Sequence, residues 1–263
     1  MREWILLGMV GLILMTTQPT ARADTGAQLT KEFLYEKAAF PSCHASTIAE
    51  TKDGLIAAWF GGSDEGEKDV TIWISLHRDG KWSAPVEAAN GVQTDGTRFP
   101  CWNPVLHNDP KYGLMLFYKV GPNPRQWWGM LRTSGDGGKS WSEAKRLPDG
   151  VLGPIKNKPL RLKDGTLLCP SSTEHDGWKV HVELTSDGGN SWLLTPPLND
   201  GKAFGAIQPG LMQFPDGKLM MLCRGTKGKL VGSRSKDGKA WEPLTETNLP
   251  NPCLLYTSPS PRD

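Results

Sequence analysis

Ser134-Gly-Asp136-Gly-Gly138-Lys-Ser-Trp141 is the most complete copy of a motif that occurs four times in the chain. The other copies are Thr185-Ser-Asp187-Gly-Gly189-Asn-Ser-Trp192, Ser235-Lys-Asp237-Gly-Lys-Ala-Trp241 and a shortened His77-Arg-Asp79-Gly-Lys-Trp82. In such a turn the aspartate can accept hydrogen bonds from backbone N–H groups across the hairpin, while the tryptophan packs between strands. We therefore interpret the four aspartates as structural residues, namely Asp79, Asp136, Asp187 and Asp237.

The spacing of the motif predicts the architecture. Consecutive motif aspartates are 50 to 57 residues apart, which suits one four-stranded blade of a β-propeller. Each interval also holds an earlier turn between apolar runs, so that every repeat contains two hairpins. These turns are Asp53-Gly54, Asn108 to Gly113, Asp164-Gly165 and Asp216-Gly217. The sequence thus predicts an all-β propeller, with about four blades in residues 24–252 and no helix among them.

The two ends of the chain differ from the repeats. Arg2, the apolar run from Ile5 to Met15 and Ala21-Arg22-Ala23 are typical of a signal peptide over residues 1–23, which predicts export to the periplasm or the medium. The apolar run is too short to span a bilayer. Residues 253–263 match the translation of a transposon-end adapter used in sequencing libraries, or else form a Pro/Ser tail. We expect an adapter-derived artefact, with the propeller continuing past Pro252.

Charge and cysteine content exclude several classes of function. The formal net charge is only +2, which gives no electrostatic case for nucleic acid or an anionic membrane as a partner. Outside the final eleven residues the cysteines are Cys43, Cys101, Cys169 and Cys223. None lies in a C-x-x-C pair or at metal-ligand spacing, so we expect no metal and no cofactor. Export permits disulfides, but buried free thiols fit the pattern equally well.

Several stretches between the motifs point to a family. They include Phe40 to Ile48, Ala57 to Gly62, Cys101 to Val105, Gly153 to Lys158 and Phe204 to Pro209. Together with the Asp-boxes, they make residues 36–252 similar to secreted bacterial BNR-repeat proteins of the sialidase (neuraminidase) superfamily. The resemblance implies a propeller of six blades in the full protein and a glycan as substrate. Sialidases hold the substrate carboxylate with three arginines, use an aspartate as acid/base and attack with a tyrosine that a glutamate activates.

The resemblance implies two catalytic candidates. Asp69, which precedes Val70-Thr-Ile-Trp-Ile74, takes the position of the acid/base aspartate, although Asp64, Glu65 and Glu67 compete with it and an ordinary loop carboxylate is the alternative. His44 stands where the first arginine motif of sialidases is missing. A histidine there suits proton transfer near neutral pH, unless it is a core or turn residue.

The same resemblance places Arg224 at the end of a strand where sialidases carry an arginine, and Gln208 where they carry the activating glutamate. Other polar side chains stand at strand ends, where a propeller lines its central mouth, and cations there favour an acidic sugar. Solvated surface charge is the alternative for each of them. They are Arg98, Asn103, Lys119, Arg125, Lys156, Lys158, Glu174 and His181. Trp127 and Trp128 can stack on a sugar or pack between blades.

Three functions remain open at this point. The first is a secreted sialidase-like glycoside hydrolase that releases a terminal sialic or other acidic sugar, with Asp69 as acid/base and Arg224 binding the carboxylate. The second is a propeller glycosidase or lyase acting on uronate-containing polysaccharide, with His44 transferring the proton. The third is a non-catalytic glycan-binding propeller. The sequence does not indicate the oligomeric state.

Overall fold

Aspartate and glycine turns fold the chain into successive antiparallel hairpins. The computed structural model describes residues 31–251, and the predictions for residues 1–23 and 253–263 lie outside this range. At the shortened motif, Asp79 and Gly80 have φ values of 50° and 75°. Two consecutive positive φ values match the mirror-image turn whose twist fits a two-residue hairpin. The turn therefore reverses the chain directly from one strand into the next.

The hairpins combine into four antiparallel sheets in chain order. The first sheet contains β1 (Ser42–Thr51), β2 (Gly54–Gly62), β3 (Thr71–Arg78), β4 (Lys81–Trp82) and β5 (Val86–Ala89). The second contains β6 (Cys101–Asp109), β7 (Gly113–Val120), β8 (Trp128–Ser134) and β9 (Lys145–Arg146). The third contains β10 (Leu160–Arg161), β11 (Leu167–Thr173), β12 (Lys179–Thr185) and β13 (Leu193–Leu194). The fourth contains β14 (Ala206–Gln213), β15 (Leu219–Gly225), β16 (Lys229–Ser235) and β17 (Thr245–Pro250).

Each sheet is one blade, and its strands follow sequence order, except that β5 pairs with β3 beside β4. Residues 31–251 contain no helix, so none in this range is long and apolar enough to cross a membrane. The predicted all-β propeller with four blades is thus confirmed for the described part of the chain.

Alternating side chains of the middle strands pack the blades together. In β7, Leu114, Leu116 and Tyr118 belong to the core shared with the first blade, whereas Met115 and Phe117 belong to the core shared with the third. Successive side chains of a strand point to opposite faces. A strand between two neighbouring blades is therefore apolar on both faces, which explains the unbroken run from Leu114 to Tyr118.

The Asp-boxes also join each blade to the one before it. Arg78 Nη2 of the first blade donates to the Gly137 carbonyl of the second, at 3.0 Å. Tyr112 Oη of the second blade donates to the Ser186 carbonyl of the third, at 2.9 Å. A Cβ built on Gly238 of the fourth blade would lie 2.6 Å from Leu168 Cδ1 of the third, so a side chain there would clash. The glycines of the motif thus permit close contact between blades.

Candidate functional site

One backbone feature recurs at or just before the first strand of every blade. Ala45, Asn103, Lys156 and Gln208 are non-glycine residues with left-handed φ values of 56°, 39°, 64° and 55°. In the first, second and fourth blades the strand register shifts at this point, which marks a β-bulge. Asp79 in its hairpin turn is the one other non-glycine residue with positive φ in the described range.

These four residues define one end of the propeller, which we call the upper face: the end at which the first strand of each blade begins and the second strand ends. A left-handed conformation costs a non-glycine residue about 1 to 3 kcal/mol, and such residues cluster at functional sites. Bulges next to active sites redirect side chains. The predicted site residues Asn103, Lys156 and Gln208 are three of the four, and His44 immediately precedes the fourth.

Side chains of the third blade hold the first strands close to one another. Lys158 Nζ donates to the Leu106 carbonyl of the second blade, at 3.1 Å, and to the Ile48 carbonyl of the first. Asn157 Nδ2 donates to the Gln208 carbonyl of the fourth blade, at 2.8 Å. The bulges are therefore held on one shared surface. Lys158 was predicted to line the central mouth of the propeller, but its ammonium group bonds to backbone carbonyls.

His44 is exposed on this face, at the start of β1. Its ring lies edge-on to Phe60, with centroids 5.6 Å apart. Phe60 in turn contacts Trp102, which contacts Trp127. Trp127 is buried, so it packs between blades and leaves no face open for a sugar. The aromatic series fixes the wall beside His44 while the imidazole itself stays accessible.

Asp69 lies in the loop between β2 and β3, on the same face. Ser63 Oγ donates to Asp69 Oδ1 at 2.8 Å and the Ser63 backbone N–H donates to Oδ2 at 2.9 Å. These bonds hold the pKa of Asp69 below its usual value, because they stabilise the carboxylate. Arg98 Nη2 donates to the Asp69 carbonyl at 3.4 Å. Asp69 is therefore an exposed, ionised carboxylate beside an arginine.

Arg224 ends the second strand of the fourth blade and contacts an aromatic ring. Its guanidinium carbon lies 5.0 Å from the centre of the Trp178 ring. Half-buried Glu174 bonds to the same tryptophan and interacts electrostatically with Arg224. Burial raises the pKa of Glu174 above its usual value, although the tryptophan and the arginines act in the opposite direction. The upper face thus carries two carboxyl groups whose pKa values are shifted in opposite directions, lowered for Asp69 and raised for Glu174.

Lys119, predicted to bind substrate, lies beneath the surface. It is fully buried, and its Nζ donates to the Pro154 carbonyl at 2.8 Å. Glu183, also fully buried, accepts bonds from the N–H groups of Leu152 and Gly153 and from His181 Nε2, at 2.9, 2.6 and 2.9 Å. Burial lowers the pKa of Lys119 to about 7, and the charge of Glu183 opposes that shift. This buried network supports residues 152–154, which lead directly to Lys156.

The remaining predicted binding residues lie partly exposed on the upper face. Gln208 accepts no hydrogen bond at Oε1, which is buried, while its backbone N–H donates to Ser172 Oγ at 3.2 Å. Arg98 carries a buried Nε without a partner.

The Asp-boxes lie at the other end of the blades, after the third strands. Asp187 Oδ1 accepts the backbone N–H groups of Asn190 and Ser191, both at 2.9 Å, and Oδ2 accepts the Ser191 hydroxyl at 2.6 Å. Asp136 makes the corresponding bonds in the second blade, and Asp237 makes the two backbone bonds in the fourth. Hydrogen bonding lowers the pKa values of all three aspartates. Their carboxylates stabilise turns far from the upper face.

The sequence did not single out Trp178, His175 or Lys202, which lie on loops of the upper face. These loops are polar and contain no repeated motif, so in the sequence they could be recognised only as segments between strands. Cys43, Cys101, Cys169 and Cys223 are all free thiols, and only Cys43 is exposed. Among residues 31–251, no cluster of three or more His, Cys, Asp or Glu side chains could hold a metal ion.

Comparison with known proteins gives a family and a fold. The model of the BNR repeat-like domain family matches residues 53–254. No curated protein matches the sequence. The fold resembles the Hadza microbial sialidase Hz136, with a TM-score of 0.66 and 18% identity over 79% of this chain and 47% of that one.

Two further solved structures are also similar. NanB sialidase from Streptococcus pneumoniae gives a TM-score of 0.65 and 13% identity over 82% of this chain and 54% of its own. A protein of unknown function from Dyadobacter fermentans gives a TM-score of 0.64 and 15% identity over 79% of this chain and 70% of its own. The chain spans about half the length of the two sialidases. At these identities the likeness concerns the fold.

Proposed function

Because the chain belongs to the BNR repeat-like domain family and carries polar left-handed residues on one face of a propeller, we propose that it is a sialidase-like glycoside hydrolase. Its substrate is a glycan with a terminal sialic or other acidic sugar. The signal-like sequence of residues 1–23 supports action in the periplasm or the medium. The recurrence of a left-handed non-glycine residue at or just before the first strand of all four blades is the observation that carries this proposal.

The charges of the upper face support an acidic substrate. Arg224 presents a guanidinium beside Trp178, and Arg98 lies next to Asp69. A guanidinium can bind a carboxylate through two parallel hydrogen bonds. We propose that Arg224 binds the sugar carboxylate, while Asn103, Lys156, Gln208 and Arg98 contact the rest of the ring.

The state of Asp69 determines what it can do. Its Ser63 bonds favour the carboxylate, so Asp69 suits the roles of base and of counter-charge to an oxocarbenium-like transition state. Exposed His44 suits the transfer of a proton to or from the glycosidic oxygen, since imidazole exchanges protons near neutral pH. We therefore assign the pair Asp69 and His44 to the reaction.

A second candidate function follows from the same observation. If the carboxylate of Asp69 does not supply a proton, His44 can serve a glycosidase or lyase that acts on uronate-containing polysaccharide. In a lyase, a base removes the proton next to the uronate carboxyl group, a carbon–carbon double bond forms as the bond to the glycosidic oxygen breaks, and the protonated base returns the proton to that oxygen, which leaves as an alcohol. The ionised state of Asp69 favours this alternative over one in which the aspartate acts alone.

Turnover of two substrates separates the candidates. Purified full chain is assayed with a fluorogenic aryl sialoside and with a glucuronate-containing polysaccharide, whose products are free aryl alcohol and new reducing ends. Asp69→Asn is expected to reduce kcat by about 100-fold or more, as loss of an acid/base group does. Asp79→Asn, at the opposite end of β3 from Asp69, is the matched control and retains activity.

The outcomes assign the function. Release from the sialoside supports the first candidate, and activity confined to the uronate polymer supports the second. If His44→Ala combined with Asp69→Ala leaves every detected turnover unchanged, both catalytic proposals fail. Glycan binding without turnover then identifies a binding propeller.

A further inference from the structure

A cleft of about 450 Å³ opens beside Arg224 on the upper face, between the third and fourth blades. Three loops form it together with Thr226, which follows β15. The loops are residues 121–127 before β8, residues 174–178 before β12, and residues 201–205 before β14. Its charged lining comes from Arg125, Glu174, His175 and Lys202. Arg224 does not line the cleft, and the His44 and Asp69 groups belong to the first blade. The cleft is therefore separate from His44 and Asp69, and it adjoins Arg224 through Trp178.

Glycines give the cleft its floor. Gly177 and Gly201 have φ values of 108° and 72°, and a Cβ on Gly177 would lie 2.9 Å from the Gly201 carbonyl oxygen. A Cβ on Gly205 would lie 2.9 Å from Thr226 Cγ2 and 3.0 Å from Trp178 Cβ. Only residues without a side chain let these loops pack backbone against backbone. The shape of the cleft thus depends on three glycines at close contacts.

Hydrogen bonds fix the same loops. Asn199 Nδ2 donates to the carbonyls of Trp178 and Phe204, at 2.7 and 3.1 Å. Asp200 Oδ1 accepts the backbone N–H groups of Lys202 and Ala203, at 2.8 and 3.0 Å. His175 Nδ1 donates to the Arg125 carbonyl. The cleft is consequently preorganised before any ligand arrives, which reduces the entropy lost on binding.

The charges indicate the ligand. Arg125 and Lys202 are cations, and the one carboxyl group of the lining, Glu174, is held towards its neutral form by burial. Trp178 and Phe204 supply aromatic wall, which suits the apolar face of a sugar ring. An anionic group can pair with Arg125 and Lys202, while the Glu174 carboxyl group can accept a hydrogen bond from a sugar hydroxyl.

We propose that this cleft is a second sugar-binding site, specific for a carboxylated sugar residue of the glycan, with Arg125 and Lys202 pairing with the carboxylate and Glu174 bonding to the ring substituents. The proposal takes the class of ligand from the proposed glycan activity. It does not depend on turnover. A polymer bound at the reaction centre would place a neighbouring acidic residue in this cleft.

Calorimetric titration of the full chain tests the proposal directly. The probes are glucuronic acid and N-acetylneuraminic acid, and methyl glucoside is the neutral comparison. We expect at least one acid to bind and the neutral sugar not to bind. Arg125→Met combined with Lys202→Met is expected to weaken binding by about tenfold or more. Lys81→Met, an exposed lysine on the first blade, is the control for charge and should leave binding unchanged.

Glu174→Gln tests the carboxyl group without changing its shape. Arg125, Arg224, Lys202 and His175 are the charged or titratable groups around it. As pH rises, wild-type Glu174 ionises and repels the ligand, so binding weakens. The variant lacks that charge and should bind about threefold more tightly at neutral pH, with a flatter pH profile.

The outcomes distinguish the two proposals. Binding that survives in Arg224→Met, which removes the proposed carboxylate ligand of the reaction centre, as well as in His44→Ala and Asp69→Asn, supports a separate site. Binding that disappears in those variants, or that resists the double change of Arg125 and Lys202, overturns it. Equal binding of methyl glucoside also overturns it, whatever the turnover assays show. If the double variant does not fold, the pH profile of Glu174→Gln and the comparison of probes on the wild type decide.

Discussion

Replacing Glu183 with glutamine removes one charge from the buried network under the upper face without changing the shape of the side chain. In the wild type the carboxylate accepts bonds from Leu152 N–H, Gly153 N–H and His181 Nε2. The amide keeps one oxygen and places an NH₂ group where the other oxygen was. At least one donor then faces another donor in a fully buried place.

The expected loss of stability follows from these contacts. A buried donor left without an acceptor costs about 1 to 3 kcal/mol. The remaining donors also lose a charged acceptor, and a hydrogen bond to a charged group contributes about 1.5 to 3 kcal/mol. The Lys119 ammonium loses the favourable charge of Glu183 as well. Because burial already lowers the pKa of Lys119 to about 7, this lysine can lose its proton and limit the damage. We expect Glu183→Gln to lower the free energy of unfolding by about 4 kcal/mol.

Urea denaturation followed by tryptophan fluorescence measures this loss. With a slope near 2 kcal/mol per molar urea, the midpoint should fall by about 2 M. Glu143→Gln, the same change at an exposed glutamate, is the control and should stay within about 0.5 kcal/mol of the wild type.

The deficit should also depend on pH, with a sign that the network determines. Lys119 has a lower pKa in the folded than in the unfolded protein, so the unfolded state binds more protons and stability rises with pH above about 7. Loss of Glu183 lowers the pKa of Lys119 in the folded protein further, so the rise of stability with pH begins below pH 7. The deficit should therefore be larger near pH 6 than near pH 8. A deficit under about 1 kcal/mol, or one that grows with pH, would refute the reasoning.

Two further predictions concern the bulges and the Asp-boxes. Ala45→Gly relieves a left-handed φ in β1, whereas Ala49→Gly removes the same methyl group in the same strand without that relief. We therefore expect the first variant to be about 1 kcal/mol more stable than the second by urea denaturation. Equal stabilities would contradict strain at the bulge. Asp187→Asn weakens the bonds to Asn190 and Ser191 and should cost about 1 kcal/mol at neutral pH. Since the folded pKa of Asp187 is lowered, its contribution is present above the usual aspartate value and is lost as pH falls below it. The difference between wild type and variant should therefore shrink in acid, and a difference that stays constant from neutral pH into acid would contradict this.

The repeat made the fold predictable. Asp136, Asp187 and Asp237 recur at blade spacing because every blade needs the same turn at the same place, and the structure confirms four blades in the order of the motifs. Asp79 belongs to a shorter turn with its own positive φ. A motif that stabilises a backbone turn therefore recurs in each blade that contains that turn.

The site was less predictable, because burial does not follow from residue type. Lys119 and Arg224 both end a second strand and both suggested a binding cation, yet Lys119 donates to the Pro154 carbonyl in the interior whereas Arg224 stacks on Trp178. The depth of each side chain depends on the neighbouring blade. Nor could the sequence assign the two carboxyl states, since Asp69 depends on Ser63 and Glu174 on its burial.

Equivalent positions in different blades show how one scaffold carries different chemistry. The residue before the bulge pairs with the second strand as His44 with Phe60, Trp102 with Lys119, and Ile207 with Arg224. The pairing is the same each time, but the three second-strand partners differ in role. Phe60 packs against the His44 ring, Lys119 supports the loop at Pro154, and Arg224 presents a cation. The backbone thus supplies the same bulge to these three blades, while the side chains at this position differ in chemistry. Functional residues in this propeller are therefore expected at positions where the backbone conformation repeats from blade to blade but the amino acid does not.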